Sequence, residues 1–256
     1  MTRNMLDLGG KHIFVAGGSR GIGAAAAKMA AQAGASVSLS YHSNAVAGAR
    51  VVAEITAAGQ RGLALPADIA DADSIQGAID EAVRQFGPLS GLVVSAGIFE
   101  GCPIEDMTSE FWDRTMATNV RGTFLAVQAA ARHLRESGQG GSIVIYASTA
   151  GQRGSAVYSA YATSKAAQIM FMRSMALELA PDRIRVNCIA PGWTETDMAA
   201  PSLDALGRAS VAAEVPLGRI GLPGDVAGAT CYLLSDLSEF VTGSTVTVDG
   251  GADMRG

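Results

Sequence analysis

Cysteine is scarce in this chain: Cys102, Cys188 and Cys231 are the only three, far apart and in no C-x-x-C arrangement. That spacing excludes a disulfide framework or a zinc knuckle and makes a reducing cytoplasm the expected compartment. Histidine is equally sparse, and His12, His42 and His133 are scattered, so no metal site is expected. No stretch of about 18 residues is free of charged and polar groups, as a membrane span requires. Residues 1–10 (MTRNMLDLGG) lack the charged-then-apolar pattern of a leader peptide. A net charge of −5 and the absence of a basic stripe exclude a general attraction to nucleic acid or anionic lipid. Proline stands at only 8 of 256 residues.

Glycine, by contrast, is abundant, at 31 of 256 residues, well above a typical share of about 7%. Excess glycine without proline and without a period suits tight turns between strands and helices. Short β-branched runs at 12–16, 36–41, 62–66, 91–95, 142–147, 185–190 and 245–248 read as strands. Between them lie Ala-rich helical patterns near 21–33, 44–58, 71–86, 109–136, 157–180 and 223–234. Strands alternating with helices of this length make βαβ crossovers. The expected fold is α/β: one domain over 1–256, a doubly wound, Rossmann-type, seven-stranded parallel sheet with helices on both faces. The stretch 193–216 is the one long connection, expected to carry a short helix and to act as a mobile lid over the site.

The run Ile13-Phe-Val-Ala-Gly-Gly-Ser-Arg-Gly-Ile-Gly23 puts Gly17, Gly21 and Gly23 directly after the first strand and before a helix. Glycines there let the backbone approach a pyrophosphate, and the helix start offers unpaired N–H groups. The spacing is G-x-x-x-G-x-G. Together with Tyr161 and Lys165 in Y-x-x-x-K, and Ser148 13 residues before Tyr161, it strongly resembles the short-chain dehydrogenase/reductase family. The resemblance runs from about residue 8 to 251.

The residues and the resemblance together set expectations for the cofactor. NAD-selective sites place an acidic residue about 20 residues past the loop, but none occurs between Asp7 and Glu54. Arg20 lies in the loop, and Ser40, Tyr41, His42 and Ser43 lie where the second strand ends. A 2′-phosphate would meet a cation and hydroxyls with no opposing carboxylate, so NADP(H) is the expected cofactor. If Arg20 is only a solvated surface residue, NAD(H) is used too. The resemblance adds Ser19 and Ile22 in the loop, and Asp68 with Ile69 as the group facing the adenine. The plainer alternative for Asp68 is a helix N-cap. The resemblance also adds Ser95, Ala96 and Gly97, where the family shows Asn-Asn-Ala-Gly, and Pro191, Gly192, Thr194 and Thr196 over the nicotinamide. The plainer reading of the two threonines is helix capping.

Tyr161 and Lys165 share a helix face at i, i+4. An ammonium beside a phenol favours the phenolate, so the expectation is a Tyr161 pKa below its usual value near 10. Tyr158 cannot take this part, because Ala162 stands four residues on. Ser148 ends a strand at its carboxyl end, where open α/β sheets bind ligands. The resemblance implies a tetrad of Asn119, Ser148, Tyr161 and Lys165, with Asn119 holding a water next to the lysine. It further implies a carbonyl reductase or alcohol dehydrogenase and a homotetramer paired through the helices near 109–136 and 157–180. Ketone or 3-oxoacyl reduction is the leading expectation. A sugar or polyol comes second, and a non-catalytic regulatory protein on the same fold is the rival class. Gln152, Arg153, Val157, Tyr158 and Trp193 are expected to border the substrate pocket.

Overall fold

The computed structural model describes residues 6–254. Strand β1 (His12–Ala16) is followed by helix α1 (Gly21–Gln32), β2 (Ser36–Tyr41), α2 (Ala45–Ala57), β3 (Gly62–Pro66), α3 (Ala72–Phe86) and β4 (Gly91–Val94). Then come α4 (Ser109–Met116), α5 (Gly122–Ser137), β5 (Gly141–Tyr146), α6 (Thr149–Arg153), α7 (Ser159–Leu179) and β6 (Ile184–Pro191). The chain ends with α8 (Ala200–Leu206), α9 (Arg208–Glu214), α10 (Pro223–Leu234) and β7 (Thr245–Val248). Among the described residues the strands form one seven-stranded sheet in the order β3-β2-β1-β4-β5-β6-β7. Every neighbouring pair is parallel. The order reverses between β1 and β4, which opens a crevice at their carboxyl ends.

Successive side chains in a strand point to opposite faces, and here both faces are covered. Phe14 and Ala16 pack with Ile75, Ile79, Leu134 and Met172 on the side of α3, α5 and α7. Ile13 and Val15 pack with Ala27, Leu39, Ile55 and Val226 on the side of α1, α2 and α10. Two-sided burial is why central strands such as β1 and β4 read as near-continuous apolar runs. Helix starts follow their caps: Asn44 Oδ1 accepts from Ala47 N at 2.9 Å, and Asp71 Oδ1 accepts from Ser74 N at 2.8 Å.

Two expectations change. The pattern 109–136 is not one α-helix: a π turn over Ala117–Arg121 separates α4 from α5 and carries Asn119. The connection 193–216 holds two short helices, not one, broken at Gly207 with φ +82. They share a small apolar cluster of Ala199, Leu203, Val211 and Ile220, with Trp193 against it. The base of this segment is pinned, since Gly221 N donates to Trp193 O at 3.0 Å and Glu195 N to Gly221 O at 2.8 Å.

Candidate active site

A cavity of about 520 Å³ opens at the crevice between β1 and β4. Its floor is the turn after β1. Gly17 adopts φ +80, and a Cβ there would lie 2.6 Å from Ala96 N. Gly17 N donates to Ser40 Oγ at 3.0 Å, and Gly18 N to Ser40 O at 3.0 Å. The Ser40 hydroxyl thus accepts from the turn while itself lining the cavity. Among the described residues no side chain caps α1, and its first turn contains no acidic residue. Its amides and dipole therefore face the cavity with the sign and room for an anion. The residues present fit the pyrophosphate of a dinucleotide.

Nearly all the sequence-derived positions line this cavity: Gly17, Ser19, Arg20, Gly21, Ile22, Tyr41, His42, Asp68, Ile69, Ser95, Ala96, Gly97, Ser148, Tyr161, Lys165, Pro191, Gly192, Thr194 and Thr196. Gly23, Ser43 and Asn119 do not. Gly23 lies underneath, where a Cβ would meet Gly17 O at 2.3 Å and Ser95 Oγ at 2.7 Å. Ser43 lies beyond the strand end, exposed.

Arg20 is exposed at the rim. Asp68 is not a helix cap; that part falls to Asp71. Asp68 Oδ1 accepts from Ala70 N at 2.9 Å, and Oδ2 lies 3.9 Å from His42 Nε2. A carboxylate therefore does stand near the end of β2, contrary to the linear reading, because β2 and β3 end side by side with Tyr41 opposite Pro66. The threonines after β6 both line the cavity and tie their own turn. Thr194 Oγ1 donates to Gly192 O at 3.1 Å, and Thr196 Oγ1 accepts from Ala199 N at 3.2 Å.

At the other end, Ser148 caps α6, accepting from Ala150 N at 3.1 Å, and hydrogen-bonds the Tyr161 hydroxyl. Lys165 is buried, and its Nζ donates to Tyr146 O at 2.7 Å while lying 5.5 Å from the Tyr161 ring centroid. Burial pushes the Tyr161 pKa up to about 12, partly offset by the Ser148 hydrogen bond. It pushes that of Lys165 down to about 8. The expected depression of the tyrosine is thus not found, because desolvation disfavours the phenolate and the ammonium is turned to a carbonyl.

Asn119 is fully buried. Its Oδ1 accepts from Ile98 N at 2.8 Å, and its Nδ2 donates to Ile98 O and Ser164 Oγ, each at 3.0 Å. Its carbonyl accepts from Thr123 Oγ1 at 2.7 Å and Gln168 Nε2 at 2.9 Å. These bonds tie the loop after β4 to α7, a positioning part.

Of the expected substrate border, Arg153, Tyr158 and Trp193 line the cavity, and Gln152 and Val157 do not. Gln152 turns to Thr247, 3.3 Å away. Phe99 was missed, although it follows Gly97 by two residues at the carboxyl end of β4 in an aromatic-poor chain. The Tyr146 carbonyl was missed too, since nothing in a sequence marks a main-chain acceptor.

A family model described as Enoyl-(Acyl carrier protein) reductase matches residues 16–253. The chain is similar to an L-rhamnose 1-dehydrogenase (NAD(P)(+)) of Azotobacter vinelandii, 40% identical over 94% of this chain and 96% of that one. It is also similar to a cyclohexanol dehydrogenase of a Rhodococcus species, 38% identical over 98% of both. A solved short-chain type dehydrogenase/reductase from Mycobacterium marinum superposes with a TM-score of 0.93 at 36% identity, covering 98% of this chain and 99% of that one.

Proposed function

Since the chain belongs to the short-chain dehydrogenase/reductase family, we propose that it is an NADP(H)-dependent oxidoreductase interconverting a carbonyl and an alcohol, run as the reduction of a ketone or 3-oxoacyl compound. The observation that carries this is the placement of Ser148, Tyr161 and Lys165 on the cavity whose other end is the glycine turn. The nicotinamide supplies, when bound, a hydride to the carbonyl carbon or takes one from the alcohol carbon. Tyr161 gives the proton that the carbonyl oxygen needs, and takes it back in oxidation. Ser148, already bonded to that phenol, positions the oxygen. Lys165 holds the nicotinamide ribose, and its charge favours the phenolate left behind. Asn119 acts through the loop it fixes. Arg20, Tyr41 and His42 receive the 2′-phosphate, Asp68 and Ile69 the adenine, Ser95, Ala96 and Gly97 the adenosine ribose, and Pro191, Gly192, Thr194 and Thr196 the nicotinamide.

A sugar or polyol is the second reading, favoured by the L-rhamnose 1-dehydrogenase at 40% identity. We read the chain as one dinucleotide-binding domain working in the cytoplasm as a homotetramer. Phe124, Met170 and Leu177 support the assembly, as they leave apolar surface exposed on α5 and α7. A light-scattering mass near that of a monomer rejects it.

The test is the loss of NADPH and NADH absorbance, in parallel, with ketones, 3-oxoesters and sugars, for the wild type and Tyr161→Phe. The expected result is faster turnover with NADPH and a fall of about 10²–10⁴ in the variant, with cofactor affinity unchanged. Near-normal turnover in the variant overturns the assignment.

A further inference from the structure

Phe99 joins four rings beside the reacting end of the cavity. It stacks on Tyr158 with centroids 4.6 Å apart and planes 2° apart. It meets Tyr161 edge-on at 4.8 Å and Trp193 edge-on at 5.9 Å. All four line the cavity and all are partly exposed, so they are not core packing. They come from the loop after β4, the start of α7 and the turn after β6. Aromatic residues are only 5% of the chain, which makes this gathering a feature of the site.

The segment that presents Tyr158 is held in a costly shape. Val157, a β-branched residue, has φ +67, a backbone conformation such side chains rarely adopt. Its carbonyl accepts from Cys102 N at 2.7 Å, which fastens it to the Phe99 loop. Gly101 lies against the Tyr158 ring, where a Cβ would sit 3.0 Å from Cε1. The Tyr158 hydroxyl is 2.9 Å from Ser202 Oγ on α8, so its polar end is engaged by the lid and its ring is left facing the cavity. Backbone strain of this kind persists where it places a functional group.

We infer that the wall of Phe99, Tyr158 and Trp193 binds a flat or alicyclic apolar ring carrying the carbonyl, so that the substrate is a ring ketone and not a polyol. The inference rests on the carbonyl–alcohol reading above. A ring satisfies aromatic neighbours by dispersion and offset or edge contacts. A polyol needs a partner for each hydroxyl, and on this wall the Tyr158 hydroxyl is already engaged by Ser202. The cavity is also lined by the charged groups Arg20, Asp68, Arg153, Lys165, Asp197 and Asp253, of which Lys165 lies 5.5 Å from the Tyr161 ring centroid.

The experiment has two readouts. In the first, cyclohexanone and tetralone are compared with butanone and a hexose for kcat/KM, in the wild type, Phe99→Ala, Phe99→Tyr and Tyr161→Phe. In the second, naphthol is titrated against tryptophan fluorescence in a Trp112→Phe background, which leaves Trp193 as the only tryptophan of the two. The expected result is a ring-ketone preference of about tenfold or more, reduced in Phe99→Ala, kept in Phe99→Tyr, and a naphthol-dependent change in Trp193 emission. Tyr161-dependent turnover that favours butanone or the hexose, with no change on adding naphthol, overturns the inference and leaves the carbonyl–alcohol reading standing. A naphthol response lost in Phe99→Ala, with no turnover of any compound, supports the ring site and overturns the carbonyl–alcohol reading. Neither response overturns both.

Discussion

The Lys165 ammonium donates to the main-chain carbonyl of Tyr146 at 2.7 Å, and this bond sets its place beneath the Tyr161 ring. The lysine comes from α7 and the carbonyl from the last residue of β5, so helix and strand together aim the charge. Burial holds the lysine pKa down to about 8 and the tyrosine up to about 12. In reduction Tyr161 must start protonated, which it is throughout the neutral range. What changes first on raising the pH is the lysine charge, which in the proposed mechanism steadies the phenolate left behind. We expect kcat/KM for reduction to be level at neutral pH and to fall above about pH 8, approaching tenfold per unit for loss of one proton. A profile level to pH 10 removes the lysine charge from the mechanism.

Arg20 tests the cofactor. It lies on the rim of the cavity at the start of α1, where a phosphate on the adenosine ribose gains a charge-assisted bond. Such a bond contributes about 1.5–3 kcal/mol, or roughly 10–100-fold in affinity. Arg20→Ala should therefore weaken NADPH by about that factor and change NADH little, as read by fluorescence titration of both. Equal weakening of the two would mean that Arg20 serves the shared pyrophosphate or only the fold.

Gly23 tests the turn itself. It does not touch the cavity, yet a Cβ there would lie 2.3 Å from Gly17 O, nearer than any real carbon approaches. Gly23→Ala must push the turn away from α1 at a cost of about 1–3 kcal/mol. Urea denaturation should show that loss, and affinity for both nicotinamide cofactors should fall together. Unchanged stability and binding would show that the turn yields freely.

Central strands such as His12–Ala16 and Gly91–Val94 were legible because they are buried throughout and so read as short apolar runs; the edge strands Gly62–Pro66 and Thr245–Val248 are only partly buried, yet fall where the alternation of strands and helices places them. The π turn around Asn119 was not, since an Ala-rich helical pattern continues through it. Tyr161 and Lys165 were legible as a pair because four residues return a helix to the same face. Their protonation was not, because it depends on burial from segments far away in the chain. Likewise His42 and Asp68 meet only because β2 and β3 end together. Phe99 is marked in the sequence only by its place two residues after Gly97; its ring partners stand far off at 158, 161 and 193.

His12, away from the site, gives the protein an acid-side weakness. The ring is buried on β1, with Nδ1 2.9 Å from Gly87 O and Nε2 2.9 Å from Ser38 Oγ. A carbonyl can only accept, so Nδ1 carries the hydrogen and Nε2 of the neutral ring accepts from the serine hydroxyl. Burial, the largest cause, lowers the pKa from its ordinary 6.5. The unfolded chain therefore takes up a proton before the folded one does. Stability linked to His12 is fully present above about pH 6.5 and is lost as the pH falls from there toward the depressed folded-state value. Urea melts between pH 5 and 8 should show a steeper acid-side decline in the wild type than in His12→Gln, and parallel curves would exclude the group. Ser38→Ala, which leaves Nε2 without its donor in the core, should lower stability at every pH by about 1–3 kcal/mol.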